Sequence, residues 1–351
     1  MVNFNFKTKQ ATPEWLTFVL SRNGFLSNGN VSSIEHTTTS SMISIFVSLR
    51  VTYSPGSLGA KPPKIILKAI KPELVESEKH RELNFYNSVF DIQTELPLLT
   101  CFGTEICPET NQYCLLLEDL TTTHHQSQYP IPPLHDESEG AITALAVMHA
   151  FWWNHPRFGD SIFVRPLENQ ININFQYCSS VYPKFVDYLG DRIPKKRKKI
   201  YQLIFEKAPK IIWNLLSNHR KQTVTHGDAH FWNFLYPNNK EDNRCVLFDW
   251  QSWGIGIGAK DLAYMIALQL YRERRQRMEL PLLKHYHNEL LKRQIHYTWE
   301  DLIADYRVFV ITNLLYPVEW HSYSYPPRVW WDRLEKGFSA FEDLDCMELL
   351  K

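Results

Sequence analysis

The sequence predicts an α+β fold in two parts: a mainly antiparallel sheet with one helix, then a larger, mostly helical region. Three observations carry this prediction. Apolar residues in the first part recur at every second position, those beyond Glu137 recur at helical spacing, and 351 residues suffice for about two domains of ordinary size. Thr12-Pro13-Glu14-Trp15-Leu16 marks a helix start, because threonine caps, proline suits the first turn and a carboxylate favours the positive helix end. After the polar stretch Gly29–Ser33, Ile43, Ile45, Val47, Leu49 and Val51 alternate across Ser41–Tyr53, as in a half-buried strand. Turn formers crowd the segment from Tyr53 to Pro63, and Lys64-Ile-Ile-Leu-Lys-Ala-Ile returns as a strand, so the two read as a hairpin with a long loop. Pro72–Phe90 has helical spacing, Tyr113–Leu120 makes another strand, and the polar run Thr121–Gln128 follows. The division falls between an N-terminal part, 1–118, and a C-terminal part, 119–351. From Ala141 to Trp153 the chain is apolar on most sides, as a central buried helix should be. Another helix sets Ile200, Leu203, Ile204, Ala208, Ile211, Ile212, Leu215 and Leu216 on one stripe, and its start, Lys195-Lys-Arg-Lys-Lys, reads as a solvated helix end.

Composition excludes several function classes. Lysine plus arginine and aspartate plus glutamate both count 38, so no basic field exists to hold a nucleic acid. Hydrophobic residues at 44% and charged residues at 22% are those of a globular protein, not a disordered chain. The six cysteines, with no C-x-x-C pair, are too sparse for a disulfide framework or a zinc finger and fit a reducing cytosol. The N-terminal stretch lacks a signal peptide's apolar core, and no window approaches the ~18 apolar residues of a membrane span. A cytoplasmic protein with no membrane partner is the expectation.

The informative stretch lies between residues 223 and 262. Two apolar β segments, around Val224 and Val246–Phe248, each deliver an aspartate at the strand end, Asp228 and Asp249, and Asn233 follows the first. Phosphoryl transfer from Mg-ATP needs such a set: one carboxylate to accept or orient the acceptor hydroxyl's proton, and an amide oxygen with a second carboxylate to hold magnesium. A rival enzyme reading is a metal-dependent hydrolase, since His226, Asp228 and His230 alternate and would share one face if extended. It lacks a third histidine at a sensible spacing and leaves Asn233 and Asp249 without roles. No G-x-S-x-G elbow supports a serine hydrolase.

The pattern H-G-D-x-H-x-x-N at 226–233, the strand ending Asp249-Trp-Gln, and Gly256-Ile-Gly-Ala-Lys-Asp-Leu-Ala-Tyr resemble the aminoglycoside phosphotransferase and choline kinase superfamily. The Asp-Trp-Gln variant is closest to its ecdysteroid-kinase-like branch. The likeness runs over most of the chain, through Ile66-Leu67-Lys68, Arg81-Glu82, Leu117-Glu-Asp-Leu, Leu145-Ala-Val-Met-His149 and Tyr297-Thr-Trp-Glu-Asp-Leu. The resemblance implies a bilobal, protein-kinase-like fold with ATP in the cleft, transferring its γ-phosphoryl group to a hydroxyl of a small-molecule acceptor. It implies Asp228 as catalytic base, Asn233 and Asp249 as magnesium ligands, Lys68 at the nucleotide phosphates and Glu82 as its partner. It further implies Leu117, Glu118, Asp119 and Leu120 as the hinge at the adenine edge. The phosphate-covering loop falls at Thr37-Thr-Thr-Ser-Ser-Met, which holds no glycine, so cradling rests on backbone N–H groups and the hydroxyls of Ser40 and Ser41. A protein acceptor is disfavoured, because no A-P-E segment follows Asp249. A non-catalytic, nucleotide-binding pseudokinase would require one of these residues to be missing, and none is.

The remaining motifs have plainer readings. Gly254-Ile-Gly-Ile-Gly lacks the βαβ context of a dinucleotide loop and reads as a turn into a helix that Asp261 caps. His149 reads as a satisfied core histidine and His226 as a brace for the catalytic loop. The aromatic tail, Tyr316, Trp320, His321, Tyr323, Tyr325, Trp330 and Trp331, is consistent with packing or with the walls of an acceptor pocket for an apolar or cationic molecule.

Overall fold

The computed structural model describes residues 11–40, 44–74, 80–239, 241 and 244–351. They divide into two compact units: the residues up to 125 together with 237–252, and 126–236 together with 253–351. Among the described residues, no helix is long and apolar enough to cross a membrane.

In the first unit, helix α1 (Pro13–Arg22) starts as its sequence predicts, with Thr12 accepting the Trp15 N–H at 3.2 Å and Pro13 at the first turn. Its buried stripe, Trp15, Leu16, Val19 and Leu20, shares one core with Leu49, Val51, Ile65 and Leu67 of the sheet. Each such side chain removed from water is worth about 1.5–3 kcal/mol. Short strands β1 (Leu26–Asn28) and β4 (Leu58–Gly59) pair at the side. The main sheet is antiparallel in the order β2–β3–β5–β7–β6, built from β2 (Val31–Ser40), β3 (Ser44–Tyr53), β5 (Lys64–Ile70), β6 (Cys101–Ile106) and β7 (Tyr113–Glu118). The alternation in β3 is as read: Ile45, Val47, Leu49 and Val51 are buried while Ser48, Arg50 and Thr52 are exposed. Central β5 puts Lys68 between Phe46 and Leu115.

One expectation is corrected here. Thr37 to Ser40, read as loop, belong to edge strand β2 and pair with Ser48, Val47, Phe46 and Ile45. From Glu35 to Thr39 this edge strand is exposed on both faces and carries no apolar alternation, and its β-branched threonines suit the pleat. The Ser40 side chain and Ser41 lie outside the described residues. Of the Pro72–Phe90 stretch, Arg81–Val89 forms helix α2, Pro72–Leu74 forms a 3-10 turn and Phe90 opens another, Phe90–Glu95, while 75–79 lie outside the described residues.

The segment 237–252 is tied into this first unit at several points. Leu247 donates its N–H to the Pro97 carbonyl at 2.9 Å and bridges Leu98, Arg244 pairs with Glu118, and Trp250 stacks on Phe85.

The second unit is mostly helical. It contains α3 (His135–Phe151), α4 (Glu168–Leu189), α5 (Lys195–Ser217), the antiparallel pair β8 (Gln222–Thr225) and β9 (Gly254–Ile257), and the short α6 (Ala259–Leu262) running into a π-helical turn, Ala263–Ala267. Then come α7 (Arg272–Lys292), α8 (Trp299–Asn313), α9 (Leu315–Ser322) and α10 (Pro327–Asp343). In α5 the predicted stripe is inward: Ile200, Ile204, Ala208, Ile212 and Leu216 are buried. The basic run opens this helix, where cations oppose the helix dipole. Glu342 pairs with Lys196 and Glu335 with Arg197, offsetting that repulsion.

Candidate active site

In the first unit, three predicted residues meet. Lys68 Nζ donates to Glu82 Oε1 at 2.9 Å and to Asp249 Oδ1 at 2.7 Å. Glu82 is fully buried, whereas the Asp249 side chain keeps about a third of its surface exposed. Burial works against the charge on Lys68, but the carboxylates of Glu82 and Asp249 outweigh it and raise its pKa above the ordinary lysine value. Asp249 sits in the left-handed region (φ 69), a conformation aspartate tolerates better than most residues. The next residue, Trp250, stacks face to face on Phe85, with centroids 4.0 Å apart. Glu82 and Phe85 are three positions apart on α2, so one helical face fixes both the lysine's partner and the stack beside Asp249.

The predicted hinge is firmly built. Leu117 and Leu120 are buried. The Glu118 carboxylate accepts from Arg244 Nη2 (2.7 Å) and Thr100 Oγ1 (3.0 Å), and its pKa is lowered because Arg244 and Thr100 outweigh burial. The Glu118 N–H donates to the Thr100 carbonyl, and Asp119 caps the following turn through the Thr121 N–H. Among the described residues, no hydrogen bond engages the Leu120 N–H.

In the second unit, the loop 226–233 is pinned from below by a buried carboxylate. Asp261 accepts the His226 N–H at 2.6 Å and the Gly227 N–H at 3.0 Å, and it lies 3.2 Å from His149 Nε2. His149 Nδ1 meets the Tyr286 hydroxyl at 2.8 Å, so this histidine is a satisfied core residue as read. Burial pushes the Asp261 pKa up, but the His149 bond, the charges of His149 and His226 and the Gly227 bond outweigh it and leave it lowered. Asp261 is therefore not the helix cap the sequence suggested; its side chain turns to the loop. Gly227 takes φ 80, which glycine supplies without strain. A Cβ on Gly258 would collide with the Tyr286 hydroxyl and His149 Nδ1.

The loop so held presents Asp228 and Asn233 together. Asn233 Nδ2 donates to the Asp228 carbonyl at 2.9 Å and approaches Asp228 Oδ2 at 3.4 Å, so in this orientation its Oδ1 faces away from Asp228. The Asp228 N–H donates to His226 Nδ1 at 3.3 Å, which agrees with His226 as a brace. Burial, then the charge of Asp228, push the Tyr264 phenol well up. His230 Nε2 lies 3.7 Å from Asp228 Oδ2, and burial lowers its pKa. Among the described residues, His226, Asp228 and His230 do not form a trio of donor atoms within 4.8 Å; the exposed His135 and Asp136 with half-buried Glu139 do. The hydrolase reading thus loses its ligand set.

Sequence reasoning missed Tyr264 and Arg244. The signal for Tyr264 was present in Asp261-Leu-Ala-Tyr264, whose ends share a helix face at i, i+3. Arg244 lies 126 positions from Glu118, and no local pattern announces it.

The ecdysteroid kinase-like family model matches residues 73–297, more than half of the chain, and the chain belongs to that family. Solved structures share the fold at low identity. A Ralstonia eutropha protein described as an aminoglycoside phosphotransferase gives a TM-score of 0.56 at 13% identity, covering 94% of this chain and 95% of that one. The ethanolamine kinase of Plasmodium vivax gives 0.54 at 13%, covering 97% and 89%. Amicoumacin kinase, solved with AMP-PNP and calcium, gives 0.54 at 14%, covering 93% and 92%. These likenesses establish a kinase-like α+β fold. A search of curated proteins finds no match.

Proposed function

We propose that this member of the ecdysteroid kinase-like family is a small-molecule kinase that transfers the γ-phosphoryl group of Mg-ATP to an acceptor hydroxyl. The observation that carries the reading is buried Lys68 held by two carboxylates, Glu82 and Asp249. A buried ion pair adds little stability compared with apolar packing. This trio also carries one negative charge in excess, which suits a site that receives a cation and a polyphosphate. The donor chemistry fits magnesium: the carboxylate of Asp249 and the amide oxygen of Asn233 are hard oxygens, and these two would hold the ion. When bound, the ion neutralises phosphate charge. Lys68 binds the α/β-phosphates, oriented by Glu82, and the N–H of Leu120 is a donor for the adenine edge. The amicoumacin kinase structure, which holds an ATP analogue, supports ATP as the donor.

Asp228 orients the acceptor hydroxyl and takes its proton as the acceptor oxygen bonds to the γ-phosphorus. The bond from that phosphorus to the β–γ bridging oxygen breaks, and ADP leaves with the electron pair. Asn233 holds the Asp228 carboxylate in place. Six sparse cysteines, five of them buried, suit a cytoplasmic setting.

Calorimetric titration of ATP with and without magnesium tests the reading. Magnesium-dependent binding in the wild type that Asp249→Asn loses is the expected result. Binding without any magnesium dependence, or no binding at all, overturns the catalytic reading in favour of a non-catalytic member.

A further inference from the structure

The surroundings of Asp228 within the second unit form a closed circuit of ring contacts. On one side, Tyr264, whose phenol feels the Asp228 charge, meets Tyr316 edge-on with centroids 5.1 Å apart; Tyr316 stacks on Trp320 at 5.4 Å. On the other side, His230 lies 3.7 Å from Asp228 and 5.7 Å, ring to ring, from Trp232, which meets Tyr129 edge-on at 5.0 Å. Both arms end at the same residue. The guanidinium of Arg333 lies over Trp320 at 5.6 Å and over Tyr129 at 5.9 Å. A chain of aromatic faces therefore runs from the carboxylate of Asp228 around to one cation.

Arg333 is 92% buried, and its hydrogen-bonding capacity is largely unspent. All its hydrogen bonds leave from Nη1: to the Val329 carbonyl at 2.6 Å, to Asp332 Oδ1 at 3.4 Å and to the Tyr129 hydroxyl at 3.5 Å. Nε is buried without a partner, and among the described residues Nη2 makes no hydrogen bond. The carboxylate nearest to it, Asp332, is shared with Lys336 at 2.8 Å. A buried guanidinium with idle donors is costly unless it meets an oxygen acceptor. Its position also has a steric and electrostatic consequence. A cationic acceptor would seek the faces of Trp320 and Tyr129, and the guanidinium already covers both. Glu319, on α9 beside Tyr316, accepts from the Tyr323 hydroxyl at 3.3 Å.

We propose that Arg333 is the specificity residue for the acceptor: it binds a carboxylate or carbonyl oxygen on an aromatic or apolar alcohol and rejects ammonium-bearing alcohols. This rests on the kinase reading above and sharpens it by removing cations from the acceptors the aromatic tail allowed. Donation from Nη2 to an oxygen at one end leaves the hydroxyl at the other end for Asp228.

The test uses three probes that share a benzylic alcohol: para-(hydroxymethyl)benzoate, para-(hydroxymethyl)acetophenone and para-(hydroxymethyl)phenyl trimethylammonium. Each is titrated calorimetrically into the full chain, and each is offered with Mg-ATP while the phosphorylated product is scored by mass. Wild type should bind the benzoate at least tenfold more tightly than the ammonium probe, with the ketone between them. Arg333→Met, which keeps length and apolar packing, should collapse that ratio at least tenfold, and Arg333→Lys should restore part of it. The ratio between paired probes is insensitive to a general loss of folding, and near-ultraviolet circular dichroism checks each variant. Equal binding of the three probes, tighter binding of the ammonium probe, or a ratio untouched in folded Arg333→Met overturns the proposal. Arg333-dependent binding of the benzoate without product from any probe or ATP binding would sustain the role of Arg333 and sink the kinase reading instead.

Discussion

At Lys68 the chemistry and the stability of the fold are opposed, and that opposition can be measured. Lys68 compensates Glu82, which has no solvent exposure. Lys68→Met should therefore cost about 3–5 kcal/mol, the penalty of an uncompensated buried charge. Lys68→Met combined with Glu82→Leu should recover most of that loss, because an apolar pair of similar volume packs well. Neither variant should bind ATP. Urea unfolding followed by calorimetry checks both; a double variant as unstable as the single would show that the lysine matters through packing alone. Asp228→Asn is the complementary case. The change is isosteric at a partly exposed position, so the unfolding midpoint should stay close to wild type. Turnover should fall about 10²- to 10⁴-fold if this carboxylate takes the proton, as a product assay on the best acceptor would record. Activity within tenfold of wild type would remove Asp228 from that role.

Among the elements, the loop 226–233 depends on a carboxylate that arrives from another stretch of chain. Asp261, on the four-residue α6, satisfies two backbone N–H groups at the start of the loop, and each such bond to a charged group is worth about 1.5–3 kcal/mol. Because the folded pKa of Asp261 lies below the ordinary carboxylate value, its stabilisation is complete above about pH 4 and fades as pH falls through the folded pKa. Asp261→Asn should lower stability at neutral pH and flatten this part of the acid sensitivity, so that the two proteins converge at low pH. Unfolding curves between neutral and strongly acid pH decide it, and parallel curves would mean that Asp261 does not carry the effect. The same elements explain what the sequence could and could not reveal. Asp228, Asn233 and Asp249 were legible because short motifs place them at fixed offsets, and β3 was legible because one of its faces is buried. Strand β2 was not beyond Ile34, since the run Glu35 to Thr39 is exposed on both faces and has no periodic signal. The turn of the Asp261 side chain toward His226 and Gly227 was equally hidden, because that partnership joins residues 34 and 35 positions apart.

For the whole molecule, the chain order and the structural order differ. A cut near residue 118 follows the composition, yet 237–252 packs with the residues before 125. Four ties depend on that return: Asp249 to Lys68, Trp250 to Phe85, Arg244 to Glu118 and Leu247 to Leu98. The first leaves a buried lysine short of a partner, and the second removes a stacked aromatic pair worth about 0.5–1.5 kcal/mol beyond its buried area. A marginal unit of this size cannot absorb several such losses. Residues 1–125 alone should therefore be poorly packed, with far-ultraviolet strand signal but weak near-ultraviolet signal and no sharp thermal transition. Joining 237–252 directly behind residue 125 should restore cooperative unfolding. The junction is feasible, because Asn238 donates its N–H to the Thr123 carbonyl at 2.8 Å and its side chain meets His125 at 3.0 Å. A fragment 1–125 that unfolds as sharply and at the same temperature as the joined chain would show that the sheet and its core suffice. In that case the return segment would serve to deliver Asp249 to Lys68 and would contribute nothing to folding.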